Sequence, residues 1–121
     1  MHSETDIVKK ILSCIGKKVL FRFPGSEGKK CGTLKDRIVV ISSDEKTGIP
    51  YWDVVDLINF PDEKEKDWIR IGYYRKPKER LVWGSQTTIT EPVTVWKRIL
   101  IKTAREKPWF RTLLQGVVRE M

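Results

Sequence analysis

The chain is poor in the residues that build reactive centres. Its 121 residues include one histidine, His2, and two cysteines, Cys14 and Cys31. A hydroxyl or thiol nucleophile would have only a terminal imidazole to activate it, so His-based catalysis is set aside. Two isolated cysteines, with no second pair and no histidine beside them, do not make a zinc site. Cys14 falls in an apolar helical stripe and reads as a small core residue, and a Cys14 to Cys31 disulfide is not expected in a cytoplasmic chain. No apolar run approaches the roughly 20 residues that span a bilayer, and charges stand where a secretory signal would carry its apolar segment. The expectation is a cytoplasmic protein without a membrane partner. Gly25, Gly28 and Gly32 are loosely spaced and no Lys-Ser or Lys-Thr follows them, so they read as turn glycines, and no cofactor is expected.

A metal-dependent nuclease centre would need clustered carboxylates with a lysine nearby, and Asp44, Glu45, Lys46 and Asp62, Glu63, Lys64 offer acid and lysine groups, with Asp36, Asp53 and Asp56 as further ligands. Both triplets fall in polar loops, where a solvated charge run explains them and no rigid element supports a site. The chain is therefore read as non-catalytic. Asp53 and Asp56, inside an otherwise apolar segment, either point outward or pair with arginines.

What the chain has in quantity is positive charge and large rings. The formal net charge is +8, and five tryptophans sit within a 40% hydrophobic composition. That composition fits a packed domain rather than a disordered basic tail. Residues 1–61 carry ten basic and eight acidic groups, and residues 62–121 carry fourteen and eight, so most of the excess lies in the second half. There the cations interleave with rings in two stretches. The first runs from Trp68 to Trp83 through Arg70, Tyr73, Tyr74, Arg75, Lys76, Lys78 and Arg80, against the single acid Glu79. The second runs from Trp96 to Arg111 through Lys97, Arg98, Lys102, Arg105, Lys107 and Trp109, against Glu106. Guanidinium and ammonium groups beside ring faces suit a phosphate backbone with stackable bases. The same residues also anchor protein interfaces.

Periodicity supplies the frame. Ser3 and Asp6 resemble a capping box ahead of Ile7, Val8, Ile11, Leu12 and Ile15, which predicts a helix from Glu4 to Ile15 stopped by Gly16. Alternation predicts strands over 17–23, 30–34 and 38–41, with a turn at Lys35 and Asp36. Tyr51 to Phe60 fits a helical turn as well as a strand and is taken as a strand. Trp68 to Tyr74 and Leu81 to Ile89 read as a hairpin with a basic tip. Thr90, Glu91 and Pro92 then open a helix carrying Trp96, Ile99, Leu100, Thr103 and Ala104. Pro108 breaks it and starts another, with Trp109, Phe110, Leu113, Leu114, Val117 and Val118 on one face.

This order makes one α+β domain: an N-terminal helix in 1–16, a small curled antiparallel sheet or partly open SH3-like or OB-like barrel in 17–89, and two C-terminal helices in 90–121. Gly32, Thr33, Leu34, Lys35, Asp36 and Arg37 together resemble the glycine-led strand and turn of many SH3-like barrels. The functional expectation is a small nucleic-acid-binding protein of low sequence specificity. Arg70, Arg75, Lys76, Lys78, Arg80, Arg98, Lys102 and Arg105 would meet phosphates, Tyr73 and Tyr74 would stack, and Trp68 and Trp109 are further candidate platforms. Trp52, Trp83 and Trp96 are assigned to the core. The alternative is a protein-interaction or assembly module, including a homodimer, built on the C-terminal helix.

Overall fold

A computed structural model of the chain describes residues 4–22, 29–43, 48–76, 80–83 and 90–121. Helix α1 (Glu4–Leu12) leads into strands β1 (Lys18–Arg22), β2 (Lys29–Ser43), β3 (Pro50–Asn59), β4 (Asp67–Arg75) and β5 (Val82–Trp83), then helices α2 (Val93–Glu106) and α3 (Pro108–Glu120). The strands form one antiparallel sheet in the order β1-β2-β3-β4-β5. The architecture is thus the expected α+β one, a curled half-barrel sheet with one helix before it and two after it.

Tyr51 to Phe60 resolves as a strand, paired with β2 on one side and β4 on the other. Strand alternation then sends its residues to two sides. Val54 and Trp52 join Val39 and Ile11 in a cluster under α1, with Ile7, Val8 and Leu12 against it. Val55 joins Ile38, Val40, Ile99 and Phe110 in a cluster beneath α2 and α3. Buried on both sides, the centre of β2 reads as a continuous apolar run, Ile38 to Val40, whereas β3 sets Asp53 and Asp56 among its apolar residues.

Several expectations are corrected. Lys35 and Asp36 form no turn. β2 continues through them as one strand, with a register shift between Leu34 and Asp36. The extra residue of this bulge leaves Leu34 on the α1 side, opposite Ile58, and turns Asp36 to the α2–α3 side, opposite Leu57. α1 ends at Leu12 rather than Ile15, and the chain closes in turns whose amides bond back three residues, Cys14 to Ile11 and Ile15 to Leu12. Gly16, at φ 93°, makes the left-handed stop that a Cβ would oppose. α2 is capped neither by Thr90 nor by an acid in its first turn. Pro92 occupies the cap position, and Glu91 turns to the sheet instead. Ser3 of the expected capping box, residues 23–28 with the loop glycines Gly25 and Gly28, residues 44–47, the hairpin tip 77–79 with Lys78, and 84–89 of the expected last strand lie outside the described residues.

Candidate functional site

The first aromatic and cationic stretch is divided by strand alternation. Along β4, Trp68, Arg70, Gly72 and Tyr74 face the α1 side, opposite Ile58, Asp56, Val54 and Trp52. Ile69, Ile71, Tyr73 and Arg75 face the other way. The α1-side set is consumed by the fold. Asp56 is fully buried and accepts Arg37 Nε on Oδ1 at 2.6 Å and Arg37 Nη2 on Oδ2 at 3.0 Å. Arg70 Nη2 reaches the same Oδ2 at 2.9 Å. Arg37 also donates to the Ile11 carbonyl, near the end of α1, and to the Tyr74 hydroxyl, both at 3.0 Å. Burial works against the Arg37 charge, but the Asp56 bonds outweigh it and hold its pKa above the ordinary value. Tyr74 is pushed up, by burial against the opposing pull of Arg37.

Trp83 closes this cluster. A Cβ at Gly72 would stand 2.1 Å from its ring, so the indole packs where a side chain is missing. The Arg70 guanidinium lies 4.6 Å from the Trp83 ring centre. The space that Gly72 leaves beside Arg70 is therefore filled by the chain's own ring. Arg70 and Tyr74 take part in a buried ion-pair network, and the pairing of Asp56 with arginine is as expected.

The remaining members of this stretch are placed as follows. Tyr73 is half-buried, edge-on to Tyr51 with ring centres 5.6 Å apart. Arg75 and Arg80 are exposed and Lys76 is half-buried. Trp68 is 37% exposed, donates its indole N–H to the Glu65 carbonyl and meets Phe60 edge-on. Trp68 and Tyr73 thus stand on opposite sides of the sheet.

The second stretch behaves differently. α2 buries Ile99 and Thr103 completely, with the Thr103 hydroxyl returned to the Ile99 carbonyl at 2.7 Å. Its flank, about a third of a turn from that buried pair, carries Arg98, Lys102 and Arg105 at i, i+4 and i+7, a stripe about 10 Å long. Lys97 and Ile101 widen it into an open face of the helix on which four cations stand beside one carboxylate, Glu106. Arg98 Nη2 donates to the Ile41 carbonyl at 3.0 Å and Lys102 Nζ to the Val39 carbonyl at 3.4 Å. These carbonyls belong to β2 beyond the end of its pairing with β1, so the two side chains cover that edge. Carbonyl acceptors satisfy these donors without cancelling their charge, and although Arg98 also lies near the Asp53 carboxyl, cations outnumber acids along the stripe.

Register relates the stripe to the hairpin. Ser42, Tyr51 and Arg75 form one row across β2, β3 and β4. Arg75 therefore lies two strand spacings, about 10 Å, from the β2 end that Arg98 reaches. Arg105 lies toward the other end of α2, where Lys107 Nζ and Trp109 Nε1 both bond Asp36, at 2.8 and 2.9 Å. Burial pushes the Asp36 carboxyl up, but the Lys107 and Trp109 bonds outweigh it and hold it below the usual carboxylate range. Trp109 is a half-buried strut with Phe110 edge-on beside it, not an outward platform. Arg111 donates to the Ala104 and Arg105 carbonyls and so caps the end of α2.

Sequence reasoning did not single out Arg37, Ser42 or Glu91. The available signal was a charge directly before the β-branched run 38–41, which only a partner on the neighbouring strand can stabilise. Asp53, expected to face outward or pair with arginine, is 2% exposed and accepts instead from Ser42 Oγ at 2.7 Å. Among the described residues no three His, Cys, Asp or Glu side chains are grouped to hold a metal. Comparison of the chain with protein-family models, with curated proteins and with solved structures gives no match.

Proposed function

We propose that the chain is a small, non-catalytic nucleic-acid-binding protein that grips the phosphate backbone along α2. The observation that supports this is the Arg98, Lys102 and Arg105 stripe, in which the hydrogen bonds of Arg98 and Lys102 go to carbonyls and, with Lys97, four cations stand against the single exposed carboxylate Glu106. A polyanion laid along α2 meets Lys97 and these three cations in succession, with Arg75 and Arg80 of the hairpin as outlying contacts. Stacking contributes little, because Tyr74 and Trp109 are engaged internally and Trp68 and Tyr73 face opposite sides. Phosphate contacts position a complex and only base-edge contacts specify it, so sequence preference is weak.

A second reading draws on α3. Its Leu113, Val117 and Val118 are 46%, 48% and 70% exposed, leaving much of the stripe uncovered by the chain itself. An assembly module would use that face. One titration separates the two readings. Anisotropy of a labelled oligonucleotide at about 50 mM salt should rise with protein, and log affinity should fall linearly with log salt as counterions are released. Absence of binding at that salt, together with a light-scattering mass above that of one chain, would transfer the function to α3.

A further inference from the structure

The hydroxyl of Ser42 has two carboxyl neighbours and one hydrogen. Its Oγ stands 2.7 Å from Asp53 Oδ2 and 3.0 Å from Glu91 Oε1. A hydroxyl donates one bond and accepts others, so with both carboxylates ionised one of these two contacts holds two acceptors face to face. The Asp53 carboxyl is 2% exposed, and its Oδ1 has no donor facing it among the described residues. The Glu91 carboxyl is also near enough to that of Asp53 to favour its protonated form, although neither ion brings a hydrogen. One added proton gives the cluster a second hydrogen, so that the Ser42 hydroxyl no longer has to face two ionised acceptors alone. We propose that Asp53, Ser42 and Glu91 form a proton-held latch that docks the segment leading into α2 onto the sheet, closed when the carboxyl pair holds one proton and loosened when both groups ionise.

The position makes the latch mechanical. Ser42 belongs to β2 and Asp53 to β3, whereas Glu91 lies just before Pro92, the cap residue of α2. Among the described residues, this is the polar tie between the sheet and the chain entering that helix. The groups facing Asp53 are Ser42 from β2, Glu91 from the incoming segment, Arg98 from α2 and, by register, Tyr73 from β4. Burial raises the Asp53 carboxyl most, Ser42 lowers it, Glu91 raises it and Arg98 lowers it, with the result at about 7. The sign follows from linkage. A carboxyl whose pKa is higher in the folded chain than in the unfolded one binds its proton preferentially when folded. Stability from this group is therefore full below the unfolded value of 3.8 and is lost as pH rises from there through about 7. The latch shares Arg98 with the cationic stripe, but its hydrogen bonds are those of Ser42, and its test does not depend on nucleic-acid binding.

Carboxyl-carbon NMR of the whole chain measures the titration of Asp53, with an expected midpoint near 7. In Glu91→Gln the amide supplies the missing hydrogen and removes the repulsion, so the Asp53 midpoint should move down. An unmoved midpoint would show burial acting alone and would overturn the latch, as would a parent midpoint near the ordinary value of 3.8. In Asp53→Asn the melting temperature should gain on the parent between pH 5 and pH 8. Amide exchange over residues 93–96, corrected for its intrinsic pH dependence, should accelerate in the parent alone. A constant difference in melting temperature, with equal exchange in both proteins, would also overturn it. Should Asp53→Asn fail to fold, Glu91→Gln carries the same two measurements.

Discussion

Two regions of this molecule use the same side chains to opposite ends. On the α1 side of the sheet, Arg37 and Arg70 converge on Asp56 beneath Trp83, and the nearby Tyr74 hydroxyl takes one more guanidinium bond. On the other side, Arg98 and Lys102 lie along an exposed helix and rest on carbonyls of β2. Composition does not separate the two, since both are arginine and lysine among rings. The acceptor does. A buried carboxylate turns cations into structure, whereas a backbone carbonyl anchors a cation and leaves its field outside.

The sharpest way to break this contrast is Asp56→Ala. Removing one partner of a buried ion pair leaves an uncompensated charge, here Arg37 with its side chain 1% exposed, at a cost of about 3–5 kcal/mol. Chemical denaturation should record a loss of that size. Oligonucleotide binding by whatever fraction remains folded should be unchanged, because Asp56 faces away from α2. A loss below about 0.5 kcal/mol, the range of ordinary surface substitutions, would mean that the cluster is not the structural centre described.

Much of the frame behind this contrast was legible in the sequence, because period-2 and period-3.6 patterns report which face of an element is covered. β4, α2 and the break at Pro108 follow from such patterns, whereas the residues of β3 fit a helical turn as well as a strand. The bulge in β2 did not, since Lys35 and Asp36 carry the polarity of a turn and only tertiary packing keeps the strand running through them. The division of the aromatics was hidden for a related reason. Alternation says that Trp68, Arg70, Gly72 and Tyr74 share a face, but the sequence does not say that Trp83 covers it. A glycine beside an arginine looks the same whether a ligand or an indole fills the space. Asp56 was visible as an anomaly, and its partner Arg37 was hidden among 24 basic residues. The α2 stripe was readable from spacing, whereas the β2 carbonyls that hold it required the fold.

The outer half of the contrast is tested by Lys97→Ala with Arg105→Ala. Both positions are exposed, and neither is needed to cover the β2 edge, so stability should shift by no more than about 0.5 kcal/mol. Each phosphate that the double variant leaves unneutralised should reduce the slope of log affinity against log salt by about 0.9 on duplex DNA, and nearly equally across sequences. An unchanged slope would remove these residues from the interface. A change confined to one sequence would show base reading where none is expected.

The smallest effect belongs to the junction where the two chemistries meet. Asp36 is a carboxylate on the α2–α3 side, and it holds Lys107 and Trp109 at the break between the helices. It is only partly buried, with its side chain 31% exposed, so solvent screens the attraction and its share of stability is modest. Its direction is nonetheless fixed. The folded pKa lies below the ordinary 3.8, so the folded chain releases this proton more readily than the unfolded one. The stabilisation is present above the unfolded value and disappears as pH falls through the lower folded value. Asp36→Asn should therefore melt below the parent at pH 7, and the gap should narrow as the pH is taken below 3.8. This is opposite in sign to the contribution of Asp53, which fades as pH rises, so the two carboxyls can be told apart within one series of melts. A gap that stays constant down to acid pH would mean that Asp36 acts through the shape of the junction and not through its charge.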